Sequence, residues 1–377
     1  MTTVQTIPFF PPHLFEADRE ELLGLVRDVA LDPEQRFILG ARSARFEETL
    51  RSSLRAADAV LCGSGTSALE LVLAAMDIGP GDEVVVPAFG CAPLAASVVN
   101  AGAVPVFADV DPHTMVADPA DAERRVTPRT KALMPAHMFS VMADMPAFRE
   151  AARRRGLRLI EDSAVAQGAT LDGIPAGLWG EAGVYSFVQV KSCGMPGEGG
   201  AVVTGDAQLA RRVRMLRNHG QDGTQRFLHH EVGRNSRFDE LQAAFQLHRF
   251  AGFPRRLERR AEIAAYYTER FAPLAAQGVL PPPPGRDGRC YYVYAVLAEQ
   301  RDALRAHLTE RGVQTHVYYR QPLPEQPAFA RYAAPDDRWP HARRASERHL
   351  ALPVHHLLTD TDVEYVADCV RAFAAGR

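Results

Sequence analysis

The sequence predicts an α/β fold, a mostly parallel sheet sandwiched by helices, followed by a smaller α+β unit. Three observations carry that reading. Between residues 59 and 204, short apolar runs alternate with helical stretches, as in strands joined by crossover helices. A long helical signal then covers 239–274 and leads to Pro281-Pro282-Pro283-Pro284-Gly285, a stiff break. A chain of 377 residues has room for one large and one smaller domain. The expected division is a large domain with an N-terminal arm at 1–250 and a small C-terminal domain at 251–377.

The elements follow in order. Residues 1–35 carry proline and an amphipathic stretch at 19–29, read as an arm or a contribution to the small domain. Apolar runs predict strands at 59–62, 83–87, 104–109, 132–136, 158–161, 184–187 and 201–204. Helices are expected at 66–76, 93–101, 145–155 and 206–218. Past the prolines, segments at 291–297 and 315–319 with helices at 300–311 and 360–374 make up the smaller unit.

Composition excludes several classes. Hydrophobic content of 46% and charged content of 24% are those of a soluble globular protein. A formal net charge of -3 gives no polyanion signal, and Arg153-Arg154-Arg155 and Arg255-Arg256 read as solvated helix faces, so no nucleic-acid partner is expected. The five cysteines, at 62, 91, 193, 290 and 369, contain no CxxC pair, which fits free thiols in a reducing compartment and no metal site. No stretch resembles a membrane span or a leader peptide, and a cytoplasmic protein is expected.

Of the 43 basic residues, all but Lys131 and Lys191 are arginine. A composition that avoids lysine has kept one on the turn leaving a predicted strand, in Ser186-Phe187-Val188-Gln189-Val190-Lys191. Lysine can lose its proton in a suitable site and condense with an aldehyde, which arginine does not readily do. Two other motifs belong beside it. Gly63-Ser64-Gly65-Thr66-Ser67 follows a strand and opens a helix, where backbone N–H groups and hydroxyls favour a phosphate. Glu161-Asp162 ends an apolar strand, where open α/β sheets place their ligands. Singly, these motifs also read as an N-cap, a loop cap and a solvated lysine. Together they meet the requirements of pyridoxal phosphate: a phosphate cradle, a carboxylate for the ring nitrogen and an imine-forming amine.

The chain resembles the DegT/DnrJ/EryC1/StrS family of pyridoxal-phosphate sugar aminotransferases, which have the aspartate-aminotransferase fold (fold type I). The likeness runs over nearly the whole length. It includes Ser64-Gly65-Thr66, Gly79-Pro80-Gly81-Asp82-Glu83-Val84, Glu161-Asp162, Ser186-Phe187 to Lys191, Gly197-Glu198-Gly199-Gly200, Arg217-Asn218-His219-Gly220 and Gly233-Arg234-Asn235-Ser236-Arg237. The resemblance implies that Lys191 forms the resting aldimine and moves protons, with pyridoxamine phosphate as the intermediate carrier. Asp162 would partner the pyridine nitrogen, and Gly65, Thr66, Ser67 and Ser186 would hold the phosphate. Asn235 would reach the phosphate of a neighbouring subunit, implying a homodimer with shared active sites. Arg237 and Tyr318 would sit near substrate, whereas Lys131 falls at a strand entry and receives no catalytic role.

Against that pattern the chain departs at several positions. Cys91 stands where an aromatic ring normally stacks on the cofactor, and Val165 where a glutamine usually bonds its phenolic oxygen. Gln167 replaces a common histidine, and Tyr292 and Tyr318 replace histidines of substrate-facing segments. The first functional expectation is an aminotransferase taking nitrogen from a glutamate- or glutamine-like donor to a keto-sugar nucleotide, a cyclitol or a related natural-product precursor. The second, raised by Cys91, Val165 and Gln167, keeps the cofactor but performs elimination, carbon–carbon cleavage or substitution on a specialised metabolite. A third, a non-catalytic sensor or assembly partner, is opposed by the retention of Lys191 and Asp162.

Overall fold

In the large sheet, β1 (Asp58–Cys62) is followed by β2 (Glu83–Pro87), β3 (Val104–Ala108), β4 (Thr130–Leu133), β5 (Arg158–Asp162), β6 (Ala182–Ser186) and β7 (Gly200–Thr204). The computed structural model describes residues 6–376. Spatial order is β1-β7-β6-β5-β4-β2-β3. The pairs from β3 across to β6 are parallel, while β7 runs antiparallel to both of its neighbours, β6 and β1. Every residue of β2, β6 and β7 is buried, as expected of strands covered on both faces. The expected strands agree with these to within two residues, apart from the end of β4. That strand stops at Leu133 because Pro135 has no N–H to donate; pairing resumes as an isolated Ala136–Asp162 bridge.

Helix α1 (Arg19–Ala30) packs on the helical segment at 240–251, whereas α2 (Ala41–Leu54), α3 (Gly65–Ala75), α4 (Pro93–Asn100), α5 (Pro119–Arg124), α6 (Met145–Arg155) and α7 (Ala207–Arg217) surround this sheet. Helix α2 is absent from the sequence expectation, yet it buries Phe46, Leu50 and Leu54 at four-residue spacing under β1. The long signal over 239–274 resolves into α8 (Glu240–Ala251) and α9 (Phe253–Phe271). The split falls at Gly252, two residues before Pro254, whose ring would clash with a continuing turn.

Beyond α9, β8 (Val279–Leu280), β9 (Tyr294–Ala298) and β10 (His349–Leu352) form an antiparallel sheet, with α10 (Arg301–Glu310), α11 (Pro340–Arg348) and α12 (Asp360–Ala375). Ile263, Tyr267 and Phe271 of α9, Leu304 and Leu308 of α10 and Val366 of α12 pack with Val296 and Leu350 into one core. The expected strand at 291–297 begins only at Tyr294, since Tyr292 and Val293 turn into the core of the large sheet. Residues 315–319 contribute a single bridge, His316 to Ala351, rather than a strand. No helix among the described residues is long and apolar enough to cross a membrane.

Candidate active site

The carboxyl ends of β1, β5 and β6 lie on one edge of the sheet, and three short segments there bring the predicted residues together. Ser64 is extended and caps α3: its hydroxyl accepts from the Ser67 amide at 3.0 Å, and the Ser67 hydroxyl accepts from the Ser64 amide at 3.0 Å. The amides of Gly65 and Thr66, at the first turn of α3, have no intrahelical acceptor. A Cβ at Gly65 would stand 2.9 Å from the Ser186 Cβ, so glycine allows the first turn of α3 to meet the end of β6. Ser67 is different. Its amide and hydroxyl are engaged inside the turn, and its hydroxyl also accepts from Ser236 at 2.8 Å; it does not line the cavity.

Strand alternation separates Glu161 from Asp162. Glu161 is fully buried and faces away from the cavity, accepting from the amides of Gly177 at 2.8 Å and Gly180 at 3.1 Å, from the Trp179 amide, and from His137 Nε2 at 3.2 Å. Because His137 Nδ1 accepts from the Ala143 amide at 3.1 Å, its proton is fixed on Nε2 and points at Glu161. Asp162 is turned into the cavity. Its side chain accepts one hydrogen bond among the described residues, from the Ala164 amide at 3.0 Å. Burial raises the Asp162 pKa, opposed by that bond and by the charge of Lys191.

Lys191 is carried by the turn that leaves β6. Its amide donates to the Val188 carbonyl and its carbonyl accepts from Gly194, each at 2.9 Å. A Cβ at Gly194 would fall 2.5 Å from the Gln189 carbonyl oxygen, so the turn closes only around a glycine. Buried Gln246 of α8 fastens the turn from outside, donating to the Cys193 carbonyl at 2.9 Å and accepting from its thiol at 3.6 Å. The Lys191 amine makes no hydrogen bond or ion pair among the described residues and stands 4.6 Å from the centroid of the Tyr292 ring. Arg260 in turn donates to the Tyr291 and Tyr292 carbonyls, and the Tyr292 hydroxyl lies 3.5 Å from that of Tyr318.

These segments enclose a cavity of about 220 Å³, lined by Gly65, Thr66, Asp162, Ser186 and Lys191, with Cys91 and Val165 on its wall. Three further lining residues, His137, Glu198 and Tyr319, were not among the predicted site residues. Four predicted residues lie outside the lining: Ser67, Asn235, Arg237 and Tyr318. Asn235 is exposed, with its amide oxygen accepting from Arg237 Nε at 3.0 Å; the Ser236 hydroxyl between them accepts from the Gly63 amide and so ties that loop to the turn before α3. Tyr318 lies behind the wall, its amide donating to His349 Nε2 at 3.0 Å. Gln167 acts as an internal strut, bonding the Ser186 carbonyl at 2.9 Å. The Cys91 thiol meets the Tyr319 hydroxyl, and burial raises its pKa above the ordinary thiol value. A larger apolar groove of about 560 Å³ along residues 281–284 contains neither Lys191 nor Asp162.

The donor set fits pyridoxal phosphate. The first-turn amides with Thr66 and Ser186 suit a phosphate, Asp162 has an oxygen open to a ring N–H, and Lys191 presents an unengaged primary amine. A family model described as the DegT/DnrJ/EryC1/StrS aminotransferase family matches residues 17–371. The chain belongs to that family. It is similar to the dTDP-3-amino-3,4,6-trideoxy-alpha-D-glucose transaminase of Streptomyces venezuelae, 39% identical over 341 residues that cover 90% of this chain and 89% of the relative. It is also similar to a pleiotropic regulatory protein of Geobacillus stearothermophilus, 38% identical over 361 residues, 95% of this chain and 96% of that one. Among solved structures, that of S. venezuelae DesV in complex with a ketimine intermediate superposes with a TM-score of 0.92 at 37% identity, covering 98% of each chain. As a DegT-family member with this fold, the protein is a pyridoxal-phosphate-dependent aminotransferase. The alternative of elimination, cleavage or substitution is not favoured by relatives that are named sugar aminotransferases.

Proposed function

We propose that the protein moves an amino group from a glutamate- or glutamine-like donor to the ketone of a nucleotide-linked sugar, in a homodimer whose two sites are shared. The observation that carries this is the meeting of the Lys191 amine, the Asp162 carboxylate and the α3 turn in one cavity. Relatives named for nucleotide-sugar substrates support the acceptor class. Bound pyridoxal phosphate supplies an aldehyde to carry nitrogen and a ring to delocalise the electrons released at the substrate carbon. Gly65, Thr66 and Ser186 bind and orient at the phosphate end. Asp162 holds a proton on the ring nitrogen through the oxygen that its bond to the Ala164 amide leaves open. Lys191 Nζ attaches the cofactor and, when released, takes and returns a proton on the face nearest Tyr292. Exposed Asn235 and half-buried Arg237 of one subunit complete the site of the other.

Borohydride reduction of the cofactor-loaded protein, followed by peptide mass mapping, is expected to place the label on Lys191 alone. Label on Lys131, or on neither lysine, refutes the assignment. Adding glutamate without acceptor should bleach the visible cofactor band, and a nucleotide-linked keto-sugar should restore it. A band that no amino donor bleaches would overturn transamination.

A further inference from the structure

The pair Arg255-Arg256 reads as a solvated face in the sequence, but the structure gives it a different setting. Helix α9 starts with no acidic residue in its first turn and no side-chain cap, so its positive end is met by two more positive charges. Arg256 is half-buried. One of its terminal nitrogens donates to the Arg249 carbonyl, while its Nε is buried without a partner. The Nε atoms of Arg249 and Arg260, at the same elbow between α8 and α9, are likewise buried without partners. Arg249 is paired with Asp18, whereas Arg255, Arg256 and Arg260 pair with no carboxylate among the described residues.

Beside this elbow lies a pocket of about 620 Å³ lined by Arg255, Arg256, Glu258, Arg259, Glu262 and His356. Its two acids are already taken: Glu258 by Arg286 at 2.7 Å and Glu262 by Arg259 at 3.3 Å. Arg259 is further held by Asp360 at 2.7 Å. What remains is an excess of two guanidinium charges facing the pocket, with one of them partly desolvated. Such charges are costly unless an anion answers them, and guanidinium forks match phosphate oxygens.

We infer that this pocket is a binding site for a phosphate-class anion, held by Arg255 and Arg256 with His356 as a third donor. A dianion balances the two uncompensated arginines better than a monoanionic carboxylate does. His356 reports the same field: burial and the charges of Arg260, Arg256, Arg249 and His355 push its pKa down to about 3, so the imidazole faces the pocket as a neutral N–H donor. The pocket lies behind the turn that carries Lys191, since Arg256 and Arg249 both act electrostatically on Cys193. The inference does not depend on the reaction proposed above.

Isothermal titration of cofactor-saturated protein with inorganic phosphate and with pyrophosphate, in chloride buffer, tests it. One site per chain is expected, weakened at least about tenfold in Arg255→Gln/Arg256→Gln, as befits the loss of charge-assisted bonds. His356→Ala should weaken binding about fivefold, the loss of one hydrogen-bond donor. Transamination and the cofactor band should persist in both variants, which also checks their folding; should the double variant misfold, exposed Arg255→Gln alone with His356→Ala decides. Unchanged affinity in the arginine variants places the anion elsewhere and overturns the inference, as does the absence of binding above the chloride background.

Discussion

Lys191 owes its readiness to its neighbours. An amine with no bonding partner would sample many rotamers, but the Tyr292 ring, itself held through Arg260, offers it a face 4.6 Å away. Confining a lysine side chain to one rotamer in this way pre-organises about 1 kcal/mol of side-chain entropy, roughly fivefold in a rate. Tyr292→Leu is therefore expected to slow cofactor capture by the apoprotein about fivefold in stopped-flow absorbance, while Tyr292→Phe, which keeps the ring, behaves as the parent. Equal slowing in both variants would implicate the hydroxyl and its Tyr318 partner instead. At the opposite end of the cavity, Asp162→Asn removes the charge opposite the ring nitrogen. Leaving one member of a buried ionic pair unanswered costs about 3 kcal/mol, so cofactor dialysed from this variant should be lost at concentrations more than about 100-fold above those that strip the parent. Lys191→Ala should retain the cofactor without covalent attachment and lose about 10²- to 10⁴-fold in turnover, the usual worth of a positioned proton carrier.

Elements hold these residues by close approach and by capping. Gly65→Ala would press a methyl to 2.9 Å from the Ser186 Cβ, and an overpacked contact of this type costs about 1–3 kcal/mol. A lowered melting temperature with weaker phosphate-end binding is expected; a variant of parental stability would mean that α3 shifts freely. Beside the His316–Ala351 bridge, one imidazole joins β10 to residues 315–319. His349 Nδ1 donates to the Ala345 carbonyl at 2.7 Å and its Nε2 accepts from the Tyr318 amide, so protonation breaks the second bond. Burial lowers the His349 pKa from 6.5 to about 4. The unfolded chain therefore takes up its proton first on acidification, and the stability contributed by neutral His349 is present above pH 6.5 and lost progressively as pH falls toward 4. Melting curves between those limits should show that slope, reduced in His349→Gln; a flat profile in the parent would exclude it. The same contrast of local and distant forces decides what was legible in the sequence. Strands β1, β2, β6 and β7 are largely apolar runs, and the Lys191, Asp162 and Gly65 motifs are local, so both could be read directly. Strand β10 is a four-residue segment that exists through its register with β9, and Tyr319 and His137 reach the cavity only by packing of distant segments. Ser67 was misplaced because a capping serine and a phosphate-binding serine occupy the same motif position, and only the bonds of the folded turn distinguish them.

At the scale of the whole molecule, the exposed Asn235 and the cavity-lining Lys191 are assigned to one site only if two chains contribute to it. Mixing inactive Lys191→Ala and Asn235→Ala homodimers under conditions of subunit exchange should restore about one quarter of parental activity, because half of the dimers formed are hybrids with one intact site. No recovery, with exchange verified by mass, would confine each site to a single chain. A final consequence comes from the reversed strand β7. Gly200 is paired with Cys62 on one side and Ser186 on the other, and a Cβ there would fall 2.5 Å from the Ser64 carbonyl oxygen, so only glycine fits. The turn at the head of α3 and the loop after β6 therefore cannot come apart independently. In deuterium exchange, the amides near residues 62–67 and 186–200 should open with a common free energy, as one cooperative unit, and emptying the site should accelerate both by the same factor.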